Sequence, residues 1–275
     1  MPETPVRNSA IASAFSRQEG RAALMPYLMG GFPDMASSLR VGEVYAQAGA
    51  DLVELGVPFS DPLADGPAIQ LAGQRALEAG ATFEKVLEEV ASPLACHVGV
   101  VVMCYANQLM AHGLDDAPRM LAAHGVSGLI VPDMPAAEAA ELRAACDAAE
   151  IALVPLVAPT TPPDEVERIA QAARGFVYVV SVTGVTGERA ALPPQLGEVV
   201  ERVRAAADVP VAVGFGVGRP EQVAEVGHIA DGVIVGSRLV RAVADAPTLE
   251  AGLEDVRSFL SDSVRALSAP STTDR

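Results

Sequence analysis

Eight short apolar runs recur along the chain: Leu24–Met29, Leu52–Leu55, Val98–Tyr105, Gly128–Val131, Ala152–Ala158, Phe176–Ser181, Val209–Phe215 and Gly232–Val235. Most are continuous in Val, Ile and Leu instead of alternating with polar residues. That pattern predicts strands covered on both faces, as in a parallel sheet. Between them lie segments with apolar residues at helical spacing: Met35–Gln47, Ala117–His124, Ala136–Ala149, Asp164–Ala173, Leu196–Ala207 and Pro220–Val226. Several start beside Pro or Asp, which suit the first turn of a helix. Strand–helix alternation repeated eight times predicts right-handed βαβ units closing into a (β/α)₈ TIM barrel of the α/β class. An open doubly wound sheet is the rival. It would carry a GxGxxG turn after its first strand, and Met29-Gly30-Gly31-Phe32-Pro33-Asp34 is not one.

Two additions to the repeat stand out. Residues Asn8–Glu19 read as an extra N-terminal helix placed to plug the bottom of the barrel. The connection after the second strand is longer than the others and holds Ser60-Asp61-Pro62-Leu63-Ala64-Asp65-Gly66-Pro67 before further helix. One barrel domain is expected over 1–266. The Ser-, Thr- and Pro-rich 267–275 is expected to be a disordered tail.

Composition narrows the function. Of the 275 residues, 50% are apolar but only 4% aromatic, so aliphatic packing must dominate the core. The net charge of −16 argues against nucleic acid or an anionic membrane as partner. The three cysteines Cys96, Cys104 and Cys146 lack CxxC spacing, which fits neither a disulfide framework nor a zinc ribbon. With no signal-peptide pattern at Met1–Ala14 and no apolar run near ~20 residues, a cytoplasmic protein is expected.

In a barrel the chemistry belongs at the carboxyl ends of the strands. Glu54 interrupts the apolar run Leu52-Val53-Glu54-Leu55-Gly56. A buried, unpaired carboxylate there would have its pKa raised, as a general acid/base requires; a structural Glu paired with Arg is the other reading. Asp65 sits in a loop bounded by Pro and Gly, where a turn or capping role competes with a catalytic one. Asp61 before Pro62 reads as a turn residue. Asp133, between Pro132 and Pro135, either holds its loop or meets a partner. Tyr105, Asn107 and Tyr178 complete the strand-end positions.

Glycines point to an anion. The seventh strand ends in Gly214-Phe215-Gly216-Val217-Gly218, and the eighth in Gly236-Ser237 followed by the helical stretch Arg238–Val243. Backbone N–H groups and a helix start at these two strand ends form a phosphate cradle in many barrels. The loop Thr183-Gly184-Val185-Thr186-Gly187 is placed to close over such a ligand. Lys85 is the only lysine, on the Glu-rich, solvated helix face Phe83–Glu89, so no pocket lysine is available for a Schiff base. The histidines His97, His112, His124 and His228 are scattered, which disfavours a histidine-bound metal. Carboxylate acid–base chemistry on a phosphate-anchored substrate remains.

The run Gly49-Ala50-Asp51-Leu52-Val53-Glu54-Leu55-Gly56-Val57-Pro58-Phe59-Ser60-Asp61-Pro62-Leu63-Ala64-Asp65-Gly66-Pro67 closely resembles the signature of the tryptophan synthase alpha chain family. So do Met103-Cys104-Tyr105-Ala106-Asn107, Val131-Pro132-Asp133-Met134-Pro135 and Gly184-Val185-Thr186-Gly187; the resemblance runs from Phe15 to Leu260. It implies retro-aldol cleavage of indole-3-glycerol phosphate to indole and glyceraldehyde 3-phosphate. By similarity Glu54 would shuttle protons, and Asp65 would accept the indole N–H bond and stabilise positive charge on the ring. Tyr27, Met103, Ile130 and Tyr178 would wall the pocket, and Gly187, Gly216, Gly236 and Ser237 would hold phosphate under a lid carrying Thr186. The resemblance further implies no cofactor in this chain, with PLP on a partner β chain in an αββα tetramer. Pro58, Asp61, Asn107 and Pro135 would form much of that contact. Val182 stands where many relatives carry arginine, and Tyr27 where phenylalanine is common. A lyase that needs no β chain, and a catalytically silent activating barrel, are the rival functions; the intact Glu54 and Asp65 argue against the second.

Overall fold

The computed structural model describes residues 9–16, 20–180, 195–214 and 216–269. Nine parallel strand segments form one sheet: β1 Ala23–Met29, β2 Leu52–Gly56, β3 Gly99–Met103, β4 Val126–Ile130, β5 Ala152–Leu153, β6 Leu156–Val157, β7 Val177–Val180, β8 Val211–Gly214 and β9 Gly232–Val235. Hydrogen-bonded neighbours run β5-β4-β3-β2-β1-β9-β8-β7-β6. The two ends of that series, β5 and β6, are joined through Val154-Pro155. Val154 N donates to Leu129 O on β4 at 2.9 Å, and Tyr178 N on β7 donates to Pro155 O at 3.0 Å. The fifth run is therefore one barrel stave split where Pro155 has no N–H to give, and the sheet closes as an eight-stave TIM barrel.

Each predicted run became a strand within a few residues of its expected bounds, and the helix Met35–Gln47 matches its expectation at both ends. Its start is fixed by Asp34, whose carboxylate accepts from Ser37 N at 2.9 Å and from the Ser37 hydroxyl at 2.7 Å. These bonds hold the Asp34 carboxyl below its ordinary range. The Phe83–Glu89 stretch is solvated on one face only: Glu84, Lys85, Glu88 and Glu89 are exposed, while Phe83, Val86 and Leu87 are buried. At the other end of the chain the last helix, Leu249–Ser268, runs two residues past the expected domain end at 266. Leu267 is why: it is 7% exposed and packs into the core.

Two apolar layers result. The larger lies between barrel and helices. The smaller fills the barrel with Met25, Leu52, Val101, Ile130, Ala152, Val154, Phe176, Ala212 and Ile234. Ile11 and Ala14, from the N-terminal helix Ser9–Ser16, belong to this inner layer, and the Phe15 ring lies 5.6 Å from that of Phe176. This helix plugs the amino-terminal mouth, as expected. At the same mouth two aspartates tie strands together. Asp51 accepts from Leu24 N at 2.8 Å and pairs with Arg21 at 2.9 Å; Asp231 accepts from Val211 N at 2.8 Å and pairs with Arg204 at 2.9 Å. With the amino-terminal mouth sealed, the carboxyl-terminal mouth is left for chemistry. No described helix is long and apolar enough to cross a membrane.

Candidate active site

Because side chains alternate along a strand, the inward positions follow from the inner layer. Leu52 points in, so Glu54 and Gly56 do too; Met25 points in, so Tyr27 does; Phe176 points in, so Tyr178 does. Register places Tyr27 beside Glu54, Glu54 beside Val101, and Gly56 beside Met103. The inner wall of the carboxyl-terminal mouth thus gathers Tyr27, Glu54, Met103, Ile130 and Tyr178 around one space.

Two glycines make that space possible. A Cβ on Gly56 would come within 2.6 Å of Tyr27 Cζ, and one on Gly214 within 2.5 Å of Tyr178 Cε2. Each tyrosine ring lies across the bare backbone of a neighbouring strand, leaving the centre of the mouth clear. Burial, aided by the nearby carboxylates, holds both phenols well above their ordinary pKa. Among the described residues the Tyr27 hydroxyl finds a weak acceptor, Met29 Sδ at 3.9 Å.

Glu54 is 2% exposed, and its Oε2 has no hydrogen-bond partner among the described residues. Among the described residues no arginine pairs with Glu54, and the charge that bears on it is the carboxylate of Asp65. Burial first and Asp65 second push the Glu54 carboxyl up to about 8 from an ordinary 4.5. Asp65, 6% exposed, is pushed up by burial only to about 6. The Tyr105 hydroxyl holds it down by donating to its carboxylate. One group is therefore mostly protonated at neutral pH and the other mostly ionised, which is the division of labour that acid and acceptor roles require.

Tyr105 is the functional residue whose part the sequence does not disclose. The sequence sets it at a strand end, but its contacts come from distant loops. Its hydroxyl accepts from Ala64 N at 3.1 Å, and its ring stacks on Phe59 with centroids 5.1 Å apart. Asp133 holds its loop to the next one: its Oδ1 accepts from Ala106 N at 2.9 Å, capping the helix Ala106–His112. The glycine-rich ends lie on β8 and β9, on the far side of β1 from Glu54. Gly214 and Ile234 are register partners. Gly216 and Gly236 each lie two residues beyond them, and Ser237, 8% exposed, opens the helix Ser237–Ala244. Thr186, Gly187 and Val182 lie outside the described residues. Of the four expected contact residues, Asp61, Asn107 and Pro135 are exposed. Pro58 is buried beneath the loop that it begins, so its side chain supports that surface instead of forming it.

A family model described as the tryptophan synthase alpha chain matches residues 14–266. The chain is 43% identical over 256 residues to a tryptophan synthase alpha chain of Geobacter sulfurreducens, covering 92% of this chain and 97% of that one. Against that of Chloroflexus aggregans the identity is 49% over 226 residues, covering 82% and 85%. Among solved structures, a chain of Mycobacterium tuberculosis tryptophan synthase superposes with a TM-score of 0.86 at 36% identity, covering 97% of this chain and all (100%) of that one. With sequence, fold and the matched span in agreement, this chain belongs to the tryptophan synthase alpha chain family.

Proposed function

We infer that Glu54 and Asp65 perform the reaction of that family, the lyase cleavage of indole-3-glycerol phosphate to indole and glyceraldehyde 3-phosphate. The observation that carries this reading is the pair of inward, buried carboxylates whose proton affinities are pushed to about 8 and about 6. The bond to be broken joins indole C3 to the hydroxyl-bearing carbon of the glycerol chain. It cannot leave with its electrons until C3 is protonated and the ring nitrogen becomes cationic. Protonated Glu54 supplies that proton. Ionised Asp65 accepts the indole N–H and stabilises the cation in a site where water does not screen the charge. As the C–C electrons return to the ring, the chain hydroxyl loses its proton to Glu54 and its oxygen becomes the aldehyde. Protons taken and given are equal, so Glu54 ends as it began. Tyr27, Met103, Ile130 and Tyr178 wall the indole, and backbone N–H groups at Gly216 and Gly236 with Ser237 hold the phosphate.

Indole release by the purified chain should rise and fall with pH, with an acid limb near 6 and an alkaline limb near 8. Below the first, Asp65 is protonated and loses its charge; above the second, Glu54 has no proton to give. An activity that keeps rising past pH 9 would remove Glu54 from the acid role. Ser237→Asp places like charge in the phosphate cradle and is expected to weaken glyceraldehyde 3-phosphate binding by at least about tenfold, read by calorimetric titration. Unchanged affinity would put the phosphate elsewhere.

The partner we propose is the PLP-bearing β chain of the family, which receives the indole. Leu63 is 89% exposed on the loop that carries Asp61, and Met110 is 57% exposed on the helix that carries Asn107. Large apolar side chains turned out to solvent around an active-site mouth support a protein contact there. Indole release measured alone and with the β chain separates the alternatives. Slow release that increases strongly on mixing supports the partnership, whereas equally fast release without it favours the stand-alone lyase.

A further inference from the structure

Asp65 is held at one remove, by a glutamine that takes no part in the proton transfers. Gln108 lies in the first turn of the helix Ala106–His112. Its Oε1 accepts from Tyr105 N at 3.1 Å, and its Nε2 donates to Pro58 O at 3.0 Å. The first bond fixes the backbone of Tyr105, and the second fastens the start of the loop that leads to Asp65. Tyr105 then reaches the other end of that loop, where its hydroxyl accepts from Ala64 N at 3.1 Å and donates to the Asp65 carboxylate. Between these fixed points the Tyr105 ring stacks on Phe59, centroids 5.1 Å apart. The loop after β2 is thus pinned at both ends to one residue pair, Tyr105 and Gln108, which are 41 and 50 positions away in sequence from Ala64 and Pro58.

We propose that Gln108 is a positioning residue for the lyase reaction: by clasping Pro58 O and Tyr105 N together it sets where the Tyr105 hydroxyl, and through it the Asp65 carboxylate, stands in the mouth. The side chain suits the task because an amide offers one acceptor and one donor on the same planar group, and both are used. Both amide atoms are taken up by the backbone of Tyr105 and Pro58, so Gln108 acts on the reaction only through its neighbours. This inference rests on the role assigned to Asp65.

Gln108→Leu keeps the volume and the helical preference but removes both bonds. Misplacing Asp65 affects the developing cation, not the phosphate grip. The full chain should therefore lose about 3- to 10-fold in kcat for indole release, with KM within about twofold. Tyr105→Phe should lower kcat similarly, and Gln108→Leu added to Tyr105→Phe should cost less than about twofold more, because one chain of contacts is being broken twice. Gln108→Glu keeps the acceptor for Tyr105 N but sets an oxygen against Pro58 O, so it should be as slow as Gln108→Leu. A wild-type kcat in either Gln108 variant, or a double variant whose losses multiply, overturns the proposal, as does a kcat loss accompanied by an equal rise in KM. Asp65→Asn, run in parallel, separates the two levels. If it is impaired while Gln108→Leu is normal, the clasp alone fails; if it has wild-type kcat, the assignment of Asp65 fails and the clasp with it.

Discussion

Glu54→Gln is expected to lower kcat for indole release by about 10²–10⁴-fold, the usual effect of removing a general acid/base. The amide occupies the same inward position on β2, beside Tyr27 in register, so the pocket walls are undisturbed. What it lacks is a proton that can be given to indole C3 and taken back from the chain hydroxyl. The same substitution should make the protein more stable. Burial raises the Glu54 carboxyl from an ordinary 4.5 to about 8, so the folded state holds this proton more tightly than the unfolded chain does. That contribution is present in full below the unfolded value and is lost as pH rises through the folded one. The substituted amide does not titrate and has no such contribution to lose. The variant's advantage in urea unfolding should therefore grow between about pH 5 and pH 8, reaching on the order of a few kcal/mol. A slow but unstable variant would mean that Glu54 is a structural residue after all. A fast variant would end its assignment as the acid.

How much of this could be read from the chain depends on how local each cause is. Glu54 was legible because a single charge inside Leu52–Leu55 must either enter the barrel or be paired, and strand alternation supplies the direction. The glycine at the end of β8 was legible as a place of close backbone approach, and what approaches Gly214 is the Tyr178 ring. The split of the fifth stave at Pro155 was written in the sequence too, but Ala152–Ala158 reads as one apolar run, and only the hydrogen bonds of Val154 and Pro155 reveal that it changes partners midway. The division between Glu54 and Asp65 was not legible. It depends on Tyr105, and nothing near Tyr105 in sequence says that a loop 41 positions away folds back onto its hydroxyl. The last helix runs two residues past the expected domain end at 266 for a related reason. A Ser- and Thr-rich segment reads as solvated, yet Leu267 within it finds a buried place against the helix Pro220–Gly227.

The other large effect is expected from Asp65→Asn, a loss of about 10²–10³-fold in kcat with little change in KM, as when one electrostatic stabiliser of a transition state is removed. Asparagine can still accept the indole N–H through its carbonyl oxygen, so substrate binds in the same pose. It cannot offset the positive charge that appears on the ring when C3 is protonated, and that charge exists only on the way to products. The surroundings make the deficit worse. The Tyr27 and Tyr178 phenols are held neutral, and Glu54 becomes an anion only as it gives its proton to C3, so among the described residues of the mouth Asp65 is the anion already in place before the cation forms. Asp65→Glu keeps the charge but pushes it past the point that Tyr105 and Ala64 define, and it should recover only part of the rate. The pH profile decides between this account and a merely structural Asp65. In Asp65→Asn the residual activity should lose the part of the acid limb that belongs to the protein, while the alkaline limb moves to lower pH, because Glu54 no longer feels a neighbouring negative charge. An alkaline limb that stays in place would show that the two carboxylates do not act on one another in the working enzyme.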